Sequence, residues 1–292
     1  MINKLSGLIR RCVDDYQMIE AGDRICVGVS GGKDSLTLLV LMAKLREFYP
    51  KPFELCALTI DMGLGMDFSP VEALCRELNV PYRCVHTQIG PIIFDYRREK
   101  NPCSMCAKMR RGALNEQLLA MGYSKIALGH HRDDAVETFL MSLFYEGRIS
   151  CFQPVTYLDR TGVTQIRPML YLSEQQVVHF TEHYQLPVVY NTCPADKNTK
   201  RQEIKDLIYR LQATYPELKD RIFGGMQRLP LPEWGVTPHL RQKAVEDQQR
   251  PQPRQAENGG NGAGEHVEVQ KQPEPRAEEI ENDQAAEAAQ GV

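Results

Sequence analysis

Residues 26–39 read CVGVSGGKDSLTLL, an apolar run cut by Ser30-Gly31-Gly32-Lys33-Asp34-Ser35 that resumes at helical spacing. A buried strand that delivers its chain through a glycine turn into a helix belongs to layered α/β architecture. Unpaired amides at such a helix N-terminus, together with the helix dipole, form an anion site. Gly31 and Gly32 let the backbone approach an anion and take conformations closed to other residues. Ser30, Lys33 and Ser35 add donors and charge. Gly-Gly alone would serve a plain strand-to-helix turn about as well.

The rest of the first 150 residues repeats this alternation. Strand signals fall at 24–30, 53–61, 82–88 and 125–131, and helix signals at 34–48, 70–79, 105–121 and 134–144. The expected fold is a Rossmann-like α/β domain, a parallel sheet covered by helices, over 1–150. Ligands of such sheets bind beyond the carboxyl ends of the strands, where Ser30–Ser35, Asp61 and His130–Asp134 all fall. After residue 150 two short extended pieces, 151–157 and 163–169, precede helices near 173–184, 200–214 and 217–226. We expect a smaller, mostly helical extension over 151–242. Residues 243–292 read as a disordered acidic tail: the last 42 residues carry three basic and nine acidic side chains and almost no large apolar ones. The remainder is then mildly basic, which permits a nucleic-acid partner without demanding one.

No apolar run is long enough for a membrane span, and the N-terminal MINKLSGLIRRCVDDYQ lacks a signal-peptide core. The expectation is a cytoplasmic chain with no membrane partner, whose nine cysteines are reduced thiols. Six of them (Cys12, Cys26, Cys56, Cys75, Cys84 and Cys151) mostly sit in apolar or helical patterns, as core residues do. Cys103 and Cys106 form a C-x-x-C at a helix start, beside Lys108, Arg110 and Arg111, where dipole and cations favour thiolates. One C-x-x-C fits a redox pair, half a zinc site or part of an iron–sulfur cluster. Cys193, in a polar loop, is the candidate third ligand. Arg97, Arg98 and Lys100 also flank the pair, and Lys197, Lys200 and Arg201 flank Cys193; converging cations would suit an RNA backbone.

Lys33 is followed by Asp34, so this is not a Walker A loop. SGGKDS instead resembles the pyrophosphate loop of the N-type ATP pyrophosphatases, which split ATP into AMP and pyrophosphate. With PCSMCAKMRRGAL, LGHHRDDAVETFLMSLFYEG, IRPMLYLSE and NTCPADKNTKRQ in that order, the chain resembles the tRNA 2-thiocytidine synthetase family from about residue 1 to 235. The resemblance implies ATP held by Ser30, Gly31, Gly32, Lys33, Asp34, Ser35, Asp61 and Gly129. It also implies a [4Fe–4S] cluster on Cys103, Cys106 and Cys193 with one iron open. The family's later motif commonly has a second C-x-x-C; here Tyr190 stands where its first cysteine would fall.

The chemistry that follows is adenylation of the C2 oxygen of a pyrimidine, a cytidine at tRNA position 32 as in the family, and its replacement by sulfur. Lys33, Asp34, Asp61, His130, Asp133 and Asp134 are the expected catalytic residues. Asp133 and Asp134 could hold Mg²⁺ on the ATP phosphates, although Asp133 would equally serve as a helix cap. His130 or His131 could move a proton or contact phosphate. The expected partners are tRNA, a sulfur donor (a cysteine desulfurase or free sulfide) and a second copy of the chain. Three other readings are a sulfur-free ligase or amidotransferase with structural zinc, a tRNA 2-thiouridine synthetase, and a nucleotide-sensing module.

Overall fold

The structure is a computed structural model. It describes residues 1–97, 102–190, 192–193 and 200–228. The acidic tail expected at 243–292 lies outside the described residues.

Among the described residues, six strands form one sheet in the order β3-β2-β1-β4-β6-β5. These are β1 (Arg24–Gly28), β2 (Glu54–Asp61), β3 (Tyr82–His86), β4 (Lys125–Ala127), β5 (Val155–Leu158) and β6 (Val163–Ile166). All neighbouring strands pair in parallel except β5, which runs antiparallel to β6 at the edge. The architecture is the expected α/β sheet, but the sheet does not stop at residue 150. Once β6 pairs with β4, the two extended pieces belong to the same sheet, and the helices after them pack into its core.

Period-two alternation splits the strand residues between two cores. Ile25, Val27, Leu55 and Ala57 face a large core with α1 (Ile2–Asp15), α2 (Lys33–Phe48), α6 (Arg132–Met141) and α7 (Glu174–His183). Also in that core are α8 (Lys200–Gln212) and α9 (Leu218–Arg228). Cys26, Cys56, Leu58 and Ile126 face the other side, against Leu114 and Leu118 of α5 (Pro102–Ala120). Helix α2 is apolar nearly all round. Leu36, Leu38, Leu39, Leu41 and Leu45 are fully buried, each contributing about 1.5–3 kcal/mol of transfer free energy. The strand–helix alternation did not include α1; its stripe of Leu5, Ile9, Cys12 and Val13 is interrupted by charges that face solvent.

The cores fix where the strand ends emerge. Strand β4 has only three residues, so Gly129, His130 and His131 lie in the turn beyond it, beside the loop that leaves β1. Among the described residues, no helix is long and apolar enough to cross a membrane.

Candidate active site

Gly32 is the N-cap of α2 and brings no side chain to bond its first amides. The open amides of that turn therefore point out of the sheet's carboxyl edge, as an anion site requires. The turn is braced from within: Ser35 Oγ donates to the Gly32 carbonyl at 3.0 Å and accepts the Ser30 N–H at 3.1 Å. Gly129 packs so closely that a Cβ there would lie 3.1 Å from the Ser35 nitrogen. Gly31 has φ +84°, in the region that glycine alone enters readily.

Lys33 Nζ lies 3.0 Å from Asp34 and 3.3 Å from Glu174. Burial pulls its pKa down, but the two carboxylates carry it above the ordinary lysine value. His131 Nε2 stands 3.7 Å from the same Asp34 oxygen, Oδ1. His131, not Asp133, caps α6: its Nδ1 accepts the Asp134 N–H, and Asp134 Oδ2 accepts the His131 N–H at 2.9 Å. Asp133 is almost fully buried and bonded to Lys219 at 2.9 Å, to Arg132 and to the Glu174 N–H. Burial pushes its pKa up, yet Lys219 and Arg132 hold it below the ordinary carboxylate range. Among the described residues, no group of three or more His, Cys, Asp or Glu is placed to hold a metal ion. A phosphate-borne Mg²⁺ needs only one or two carboxylates, and Asp34 and Asp134 keep part of their surface open.

His130 stacks on Phe152, ring centroids 4.9 Å apart, with Nδ1 buried and without a hydrogen-bond partner among the described residues. Burial first, then the Arg167 guanidinium, lowers its pKa from 6.5 to about 3. The unfolded chain therefore takes up a proton near pH 6.5 that the fold refuses. The stability this confers is complete above about pH 6.5 and drains as the pH falls towards 3, at up to about 1.4 kcal/mol per pH unit. His130→Gln is expected to flatten that acid limb in urea melts between pH 6.5 and 4. An unchanged slope would assign the titration to another group.

Asp61 closes β2 and is fully engaged: Oδ1 accepts the Gly63 N–H at 2.9 Å, and Oδ2 lies 2.8 Å from His86 Nδ1. The His86 ring is 80% exposed, so the carboxylate orients an imidazole at the rim. No local sequence signal marks that partner, which parallel register alone brings opposite Asp61.

Between the ends of β1 and β2 and the flank of α5 lies a small open cleft, lined by Gly28, Ser30, Leu58, Ile60, Arg110 and Arg111. Arg110 joins the cleft to the cysteines. Burial lowers its pKa, while Cys106 and Cys193, 87 residues apart in sequence, both raise it electrostatically. Cys106 also packs on the cluster of Met62, Ile89 and Ile93. Two hydrogen bonds to backbone carbonyls dock the Cys193 segment over the same edge. The Val189 N–H donates to the Gly31 carbonyl at 2.9 Å, and Thr192 Oγ1 donates to the Leu64 carbonyl at 2.9 Å. Cys103 is in the first turn of α5, but its side chain lies outside the described residues, as do Arg98, Lys100 and Lys197. Lys108 is exposed, Lys200 stacks over Tyr145 at 4.9 Å, and Arg201 is paired with Glu137 at 3.1 Å. The cations flanking the cysteines are thus partly structural.

Residues 5–211 match the model of the PP-loop domain family. The tRNA-cytidine(32) 2-sulfurtransferase of Pelobacter propionicus is 36% identical over 233 residues, covering 78% of this chain and 87% of that one. The enzyme of the same name from Anaeromyxobacter dehalogenans is 38% identical over 222 residues, covering 75% and 77%. Among solved structures, the U34-tRNA thiolase NcsA from Methanococcus maripaludis, with its [4Fe–4S] cluster, superposes with a TM-score of 0.62 at 25% identity, covering 78% of each chain. The chain belongs to the PP-loop family and, within it, to the tRNA 2-thiocytidine synthetases.

Proposed function

We propose that this chain is an ATP-dependent tRNA sulfurtransferase that replaces the C2 oxygen of a cytidine, at position 32 as in its named relatives, by sulfur. The observation that carries this reading is Arg110, which walls the cleft beside Ser30 and stands within electrostatic reach of both Cys106 and Cys193. Sulfur-bearing residues and the phosphate loop thereby share one sheet edge, as a reaction that joins adenylation to sulfur transfer needs.

The open amides of α2 and Lys33 would receive the phosphates of ATP, with Mg²⁺ meeting Asp34 and Asp134. Attack of the C2 oxygen on the α-phosphate of ATP releases pyrophosphate, and the adenylated oxygen, no longer a poor leaving group, departs as AMP when sulfur attacks C2. The strap through Val189 covers the loop from the cysteine side and limits access of water to the activated base. Cys106 and Cys193, each within electrostatic reach of Arg110, would supply two members of a thiolate donor set, with Cys103 three residues before Cys106 as the third. A [4Fe–4S] cluster held on three thiolates would keep one iron without a protein ligand, open to incoming sulfur. A target base in a folded anticodon loop must leave its stack to enter. The sulfur comes from a cysteine desulfurase or free sulfide, and the enzyme acts as a homodimer in the cytoplasm.

The test is anaerobic incubation of the purified protein with ATP, Mg²⁺, sulfide and unmodified tRNA, followed by nucleoside mass spectrometry. ATP-dependent 2-thiocytidine together with AMP is the expected result. A 2-thiouridine product would move the substrate to uridine. AMP formation without sulfur incorporation, from a colourless zinc-containing protein, would favour the ligase reading.

A further inference from the structure

Lys33 is a compact charge on a flexible stem, and such a side chain gives up rotamer freedom when it is held in one place. Its neighbour Asp34 belongs to the same helix turn and cannot by itself fix where the ammonium points. A second carboxylate comes from across the fold. We infer that Glu174 is the positioning residue of the nucleotide loop, holding Lys33 in place from α7 and tying it to the helix that follows the Cys193 segment. The inference rests on the nucleotide-binding reading of the loop.

Glu174 is the first residue of α7, directly after the N-cap Ser173, and its backbone N–H donates to Asp133 at 3.3 Å. Its Oε1 lies 3.3 Å from Lys33 Nζ and 3.2 Å from Nζ of Lys205 on α8. Lys205 is in turn 3.7 Å from Glu137 Oε1, and Arg201 takes the other oxygen of that carboxylate at 3.1 Å. The Glu137 side chain is 1% exposed, so this end of the chain of charges is anchored in the core between α6 and α8. Burial pushes the Glu174 carboxyl up, but Lys205 and Lys33 together hold it below the ordinary range. It therefore stays ionised at neutral pH, as a partner for two lysines must. The carboxylate is fixed at its backbone, at Lys205 and at Lys33, which is the over-determination that pre-organises a binding group. Preformed, Lys33 meets a polyphosphate without first having to be ordered.

Such a role is selective for phosphate. Wild type, Glu174→Gln and Glu174→Asp are to be titrated calorimetrically with a non-hydrolysable ATP analogue, with pyrophosphate and with AMP. Glu174→Gln keeps the shape but loses the charge. It is expected to weaken the ATP analogue and pyrophosphate by about tenfold while AMP stays within about twofold. Glu174→Asp shortens the reach and is expected to give the same pattern, smaller, so the comparison survives if the glutamine variant folds poorly. Equal weakening of all three ligands with a lowered Tm would make Glu174 a structural residue only and overturn the inference. Unchanged affinity for the ATP analogue and pyrophosphate would overturn it too. Failure of the wild type to bind the analogue would sink the nucleotide reading itself, and this inference with it.

Discussion

Gly31→Ala is expected to lower tRNA-dependent formation of AMP by at least about a hundredfold, with a fall in Tm of several degrees. Two costs add at this position. The backbone sits at φ +84°, where a residue with a Cβ is strained by about 1–2 kcal/mol. The new Cβ would also lie 2.9 Å from Val189 Cβ and 3.3 Å from the Phe68 ring. Val189 cannot simply retreat, because its own N–H bonds the Gly31 carbonyl at 2.9 Å. Relief must come either from the loop that presents the α2 amides or from the strap that leads to Cys193, and the proposed reaction needs both in place. Gly32→Ala is the internal comparison. That residue has φ −78°, and a Cβ there would meet nothing closer than Ser30 Oγ at 3.5 Å, so its Tm should stay near that of the wild type. Equal Tm for the two variants, with turnover retained in Gly31→Ala, would sink the account of the strap.

Much of this arrangement could be read from the sequence where local chemistry governs it. The glycine turn, the alternation of strands and helices, and the clustering of Ser30–Ser35, Asp61 and His130–Asp134 at one sheet edge all follow from periodicity and turn chemistry. What could not be read depends on partners that only the tertiary fold brings together. Glu174 looks in sequence like an acid favoured by the first turn of a helix, and nothing local tells that its carboxylate reaches back to Lys33 (141 residues earlier). Asp133 and Asp134 are adjacent letters with opposite fates, because a helix turns them apart: one joins the capping box with His131, the other is buried against Lys219. Arg110 reads as one of several surface cations. Its place on α5, over the ends of β1 and β2, makes it instead the wall between cleft and thiols. The two extended pieces after residue 150 lacked a signal for their sheet, since strand pairing partners are not encoded in a strand's own alternation.

Cys193→Ala is expected to reduce sulfur transfer to background, a loss of more than about a thousandfold, while affinity for a non-hydrolysable ATP analogue stays within about twofold. The separation follows from how the two functions are built. The α2 amides, the Ser30–Ser35 brace and Lys33 belong to elements that contain no part of the Cys193 loop. Among the contacts of that segment, the bonds to Gly31 and Leu64 come from Val189 and Thr192, not from the thiol. Removing the sulfur therefore leaves the phosphate loop standing. The proposed three-thiolate donor set would have no such tolerance: with one ligand gone, a site meant to keep one open position would have two. Protein purified without oxygen should accordingly lose the broad absorption near roughly 400 nm together with its iron, and Cys106→Ala should behave in the same way. Cys26 and Cys56 supply the contrast. They face each other in register on β1 and β2 within the core beneath α5, so alanine there should cost stability of about 1–2 kcal/mol and spare sulfur incorporation. Thiolation that survives Cys193→Ala with its iron intact would remove this cysteine from the donor set and shift the sulfur chemistry to Cys103 and Cys106 alone.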